Sequence, residues 1–179
     1  MKKIIAFFAI ALMAIAVGCK SIPSEDSLRT TSTAIGKAAG YVATQVEMGE
    51  QERAVVIEIM TVVPHVIPAK DHKYVDVWVP MANDIVGKLV NEGKLNKDQA
   101  DLIVSTFAVA CKGMDYLVDV RFPKIRTYEN LMNIATTGFA DGFLTVFKPI
   151  NLRLAAPMEN ADYDKEAYEF LMASEAITK

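Results

Sequence analysis

Residues 96–117 read NKDQADLIVSTFAVACKGMDYL, and this stretch decides the fold class. Asn96 followed three residues later by Gln99 is a capping box, in which each side chain satisfies the other's backbone N–H at a helix start. Behind it Ile103, Phe107, Ala110, Met114 and Leu117 recur at three- and four-residue steps, which aligns them on one helical face. Asp101, Ser105, Lys112, Asp115 and Asp119 fall opposite, so the predicted helix has a core side and a solvent side. Gly113 marks a point where it would divide, and Phe122-Pro123 stops it.

Working outward, two flanking helices share a motif. From Ser24 or Ser27 as N-cap, Leu28, Ile35 and Val42 recur every seven residues. A second row, Ser32, Gly36, Gly40 and Thr44, is entirely small, and such a row lets another backbone approach closely. A later helix, over 127–147, carries the stripe Tyr128, Leu131, Ala135, Phe139, Gly142 or Phe143, and Val146. Both contain Gly-x-Ala-x-Gly followed by an aromatic and an aliphatic residue, at Gly36 to Gly40 and at Gly138 to Gly142. The echo is too short for a repeat. It points to two close-packing helices, with each other among the partners it allows.

The remaining segments are shorter. Gly49 ends the first helix, and Glu50 and Glu52 open a second, where acids favour the helix dipole. Residues 54–63 are almost wholly apolar, as in a buried helix or, alternatively, a buried strand. Two prolines bar regular helix over 64–68. Val75, Val77 and Val79 then alternate with Tyr74, Asp76 and Trp78, which predicts a strand, although Tyr74 and Trp78 are also one helical turn apart. Pro80 suits the first turn of a helix bearing Ile85, Val86, Leu89 and Val90, with Gly93 placed to end it. Ile150, Leu152 and Leu154 line one side of an extended segment, and a last amphipathic helix over 162–176 carries Ala167, Phe170 and Leu171. The expected fold is mainly α: a single compact bundle of about six helices, with 75–79 and 150–154 as one short strand pair.

Composition sets the bounds. The chain has 179 residues, one domain's length, with 52% hydrophobic and 23% charged, so a disordered chain is excluded. Two cysteines exclude a disulfide scaffold and a four-cysteine zinc site. A net charge of −3 offers no electrostatic reason for a nucleic-acid partner.

Lys2 and Lys3 form a basic start, and Ile4 to Val17 follow without a polar residue. That run is short for a membrane span and typical of a signal-peptide core. Ala16-Val17-Gly18-Cys19 resembles the lipobox of bacterial lipoproteins, with Ala16 a less usual choice than leucine at its place. The resemblance covers about 20 residues and leaves the mature domain unrecognised. It implies cleavage before Cys19, diacylglyceryl attachment to the Cys19 thiol and acylation of the new amine. Residues 1–18 are then the signal peptide, 19–24 the lipidated cysteine and a short tether, and 25–179 the envelope domain. Lys20 in place of aspartate after Cys19 implies outer-membrane sorting, facing the periplasm. Removing residues 1–18 leaves 17 basic and 22 acidic residues, a net charge of −5.

Little else carries chemistry. His65, His72, Asp71 and Asp76 match no metal-ligand spacing, and Cys111 lies within an apolar helical stripe rather than at a nucleophile elbow. Glu50, Glu52, Asp98 and Asp101 sit at helix starts, where capping explains them. The expectation is no enzyme, no metal and no cofactor beyond the covalent lipid on Cys19. Tyr74 and Trp78 are candidate partner-binding residues if exposed; the alternative is Trp78 as a core anchor under a loop. Tyr163, Tyr168 and Phe170 form a second candidate surface. The functional expectation is a lipid-anchored adaptor holding an envelope protein, or peptidoglycan, near the membrane. Alternatives are an exclusion or immunity lipoprotein that blocks an outer-membrane receptor, and a carrier with an apolar cavity between the glycine-bearing helices.

Overall fold

A computed structural model describes residues 22–148 and 163–173, and these form six α-helices packed as one bundle. The expected signal peptide over residues 1–18, Cys19, and the expected strand with Ile150, Leu152 and Leu154 lie outside the described residues. Helix α1 is Glu25–Thr44, capped by the Ser24 hydroxyl, which accepts from the Ser27 N–H. Helix α2 is Glu50–Val62 and tightens into a 3₁₀ turn, Val63–His65, at Pro64.

Helix α3 is Tyr74–Asn91, which corrects the strand expected at Val75, Val77 and Val79. The deciding contact is remote in sequence. The Asp115 carboxylate accepts from the Tyr74 N–H at 2.7 Å and the Val75 N–H at 3.3 Å, and so caps the helix from outside. Pro80 therefore lies inside α3 rather than at its start, with its ring on the exposed face. The turn it weakens borders solvent, where water can satisfy the carbonyl it leaves. Gly93, at φ 70°, closes the helix.

Helix α4 is Lys97–Asp115, with both bonds of the Asn96–Gln99 capping box formed. It runs through Gly113 undivided and widens into a π-helical turn, Tyr116–Arg121. All five residues of the stripe from Ile103 to Leu117 are fully buried. After a 3₁₀ turn at Ile125–Thr127 comes α5, Glu129–Phe147, and then α6, Lys165–Ala173.

Cross-links fix the directions. Gln51 at the start of α2 donates to the Lys94 carbonyl just beyond α3, and Glu52 accepts from Gln99 at the start of α4. Arg53 donates to the carbonyl of Phe147, the last residue of α5. Hence the ends of α3 and α5 and the starts of α2 and α4 share one end of the bundle, here the distal end. The starts of α1, α3 and α5 and the end of α4 share the other, where Ile22 leads into α1; it is labelled the tether end after the tether expected over residues 19–24.

Candidate functional site

The glycine motifs meet. A Cβ on Gly36 would overlap the Phe139 carbonyl oxygen, and one on Gly40 would stand 2.9 Å from the Phe143 carbonyl. Reciprocally, a Cβ on Gly142 would overlap the Thr33 carbonyl, and one on Gly138 would come 2.5 Å from Ser32 Oγ and 3.1 Å from the Arg29 carbonyl. Residue numbers rise together along the seam, so α1 and α5 are parallel and touch backbone to backbone, as small-residue rows allow. Ser32 is buried there and turns its hydroxyl back onto the Leu28 carbonyl at 2.7 Å. No room is left along this seam for an apolar ligand between the glycine-bearing helices.

Tyr74 and Trp78 are both fully buried, which corrects the surface patch expected of them and agrees with the alternative of Trp78 as a core anchor under a loop. One helical turn apart, they project the same way into the core, their rings edge to face at 4.5 Å. Trp78 Nε1 donates to the Val66 carbonyl at 2.7 Å, so the tryptophan fastens the 66–73 loop over the core. Thr136 Oγ1 donates to the Met132 carbonyl and thus accepts from Tyr74 Oη at 3.1 Å. Next to them Arg126 gathers three partners: Nε donates to Asp119 at 2.8 Å, Nη1 to the His72 carbonyl at 2.8 Å, and Nη2 lies 3.9 Å from Asp115.

Burial pushes the Tyr74 phenol up to about 12, against the opposing effect of its bond to Thr136. The folded state therefore holds this proton more tightly than an exposed phenol near 10 does. Stability is untouched below that value and is lost as pH rises from about 10 to about 12. Tyr74→Phe is expected to flatten that alkaline loss, with Tyr116, also near 12, retaining part of it. Denaturation midpoints against pH test this, and parallel curves for the two proteins would refute the assignment.

The remaining reactive types are apart. Cys111 is fully buried, and desolvation pushes its thiol well above the usual range. His65 and His72 are exposed, the latter 4.0 Å from Asp71. Among the described residues no three His, Cys, Asp or Glu side chains converge as a metal site.

Two depressions lie at opposite ends. The distal one, about 660 Å³, is formed by the α1–α2 turn, where Thr44, Gln45 and Glu47 mix with Val46, Met48 and Arg53. Arg53 is 2% exposed; it bonds the Phe147 carbonyl at 2.7 Å and stacks 4.5 Å above the Phe147 ring, closing the C-terminal end of α5. Beside it the bond from Gln99 holds the Glu52 carboxyl below the usual range. Arg53 escaped the reading of the sequence, although it shares a helical row with the buried Val56 and Met60. The second groove, about 380 Å³, lies at the tether end between Val75, the π turn and α6. There Val120 and Phe170 are exposed, and Phe170 leans on Tyr116 with ring centres 5.0 Å apart. Of the second aromatic surface, Tyr163 and Tyr168 are half-buried; Tyr163 packs edge on to Tyr41 of α1.

Compared with family models, with curated proteins and with solved structures, the chain matches none.

Proposed function

We propose that this chain is a lipid-anchored, non-enzymatic helical module of the bacterial envelope that holds a protein partner near the membrane. In this reading Cys19 carries the lipid and the domain faces the periplasm from the outer membrane. The observation that supports it best is the position of the distal cleft. It opens at the end of the bundle opposite the start of α1, about 30 Å away along that 20-residue helix. Its lining suits a partner segment rather than chemistry: half-buried Val46 offers apolar contact over the buried Met48, and Gln45, Thr44 and Glu47 offer hydrogen bonds.

A photo-crosslinking residue at Val46 in the intact protein tests this. A discrete adduct of one identified envelope protein is expected, absent when the same residue replaces the exposed Glu58 on the outer face of α2. Identical patterns at the two positions, or adducts only of abundant bystanders, would refute the cleft as the partner site.

A further inference from the structure

We infer that the tether end of the bundle is a membrane-seating face whose apolar side chains enter the bilayer interface. The inference rests on the reading of Cys19 as the lipid attachment site. Its starting point is an asymmetry. Every large hydrophobic side chain exposed among the described residues sits at the tether end.

The chain enters with Ile22, 45% exposed, two residues before the Ser24 cap of α1. Val62, 53% exposed, closes α2, and Val66 follows the 3₁₀ turn. Tyr128 precedes the first turn of α5, whose start lies level with that of α1 because the glycine seam is parallel. Val120, 58% exposed, is in the π turn that ends α4. The last turn of α6 adds Phe170 and Met172, placed at this end by the Phe170–Tyr116 ring contact. The distal turns contain apolar residues too, but Met48, Leu95 and Phe147 there are buried.

Five separate segments thus gather exposed apolar groups at one end of the bundle. A patch of this kind marks a contact with either a protein or a membrane. Covalent reach selects the membrane. Only two residues, Lys20 and Ser21, separate Cys19 from Ile22, so a lipid on Cys19 holds Ile22, three steps along the chain, within about 11 Å of its own headgroup depth. Apolar groups of interfacial elements enter a bilayer by about 5–10 Å, a depth compatible with that short tether. Charge does not drive the contact: Lys70, Lys73 and Lys124 are offset by Glu25, Asp71 and Glu129, all exposed at the same end. The expected lipid is therefore any fluid phospholipid, zwitterionic included.

The test uses the mature protein in phosphatidylcholine vesicles that contain nitroxide-labelled lipid. A fluorophore is attached at Val120→Cys, at Tyr128→Cys or, distally, at Glu92→Cys; native Cys111 is buried and does not compete for label. Several-fold stronger quenching is expected at positions 120 and 128 than at 92, unchanged by high salt. Equal quenching at all three, or none at 120 and 128, would overturn the seating, as when another protein covers that end in the cell. Quenching that needs anionic lipid would overturn apolar insertion as its cause. Mass spectrometry of the N-terminal peptide reads lipidation separately. Should Cys19 be unmodified, the same labels are read on the mature chain with Cys19→Ser, which removes the competing thiol, held by an N-terminal hexahistidine on nickel-chelating lipid. Preferential quenching at 120 and 128 there sustains the seating face without the lipid reading, and its absence ends both.

Discussion

Gly142→Leu is expected to abolish cooperative folding, and Gly36→Ala with Gly142→Ala to lower stability by more than the sum of ordinary helix substitutions. On propensity alone, glycine to alanine in a helix interior stabilises by roughly 0.5–1 kcal/mol. At the seam the sign reverses. The added methyl at Gly142 meets the Thr33 carbonyl and that at Gly36 meets the Phe139 carbonyl, both backbone atoms of a packed helix. Overpacking costs about 1–3 kcal/mol where side chains can shift, and here whole helices must separate. Against a total stability of about 5–15 kcal/mol, a leucine at this crossing is enough to unfold the chain. Gly87 is the internal control: a Cβ there meets nothing within 4 Å, so Gly87→Ala is expected to stabilise slightly. Urea denaturation followed by circular dichroism reads all of these. Midpoints for Gly36→Ala and Gly142→Ala at or above that of the unaltered protein would refute the seam.

Trp78→Ala carries the next largest expected effect, a loss of about 3–5 kcal/mol, the range for removing a buried large aromatic side chain. The ring is fully buried between Tyr74, at 4.5 Å, and Phe107, at 6.3 Å, and its N–H holds the Val66 carbonyl. Trp78→Phe separates the two contributions. It keeps most of the apolar volume and gives up the hydrogen bond, for about 1 kcal/mol plus some packing. As the chain's one tryptophan, Trp78 also reports its own burial by resisting acrylamide quenching in the folded protein. Free quenching, or a Trp78→Ala protein of unchanged stability, would return this residue to the surface.

How much was legible depended on where the deciding interaction lies along the chain. The α4 helix could be read residue by residue because its capping box and its buried stripe are local, with partners three or four positions apart. The Gly-x-Ala-x-Gly echo was legible as a spacing but not as a pairing, since periodicity says which face is small and nothing of what fills it. Residues 74–79 misled for a definite reason. Alternating valines satisfy a strand, a proline six residues into a helix reads as its start, and the carboxylate that nucleates the true first turn is Asp115, about forty residues later. Arg53 went unnoticed because its value lies in the Phe147 carbonyl, on a helix that begins 76 residues after it.

By itself the sequence determined the helical class, the caps and stops of most helices, the small-residue rows and the lipobox resemblance. All follow from interactions within one or two turns or from composition. Only the tertiary structure decided that Tyr74 and Trp78 face the core, that α1 and α5 run parallel through their glycines, and that the exposed apolar side chains gather at the tether end. Those outcomes depend on which helices become neighbours. Neighbours are chosen by the summed burial and close packing of all six helices, a free energy that no single segment contains.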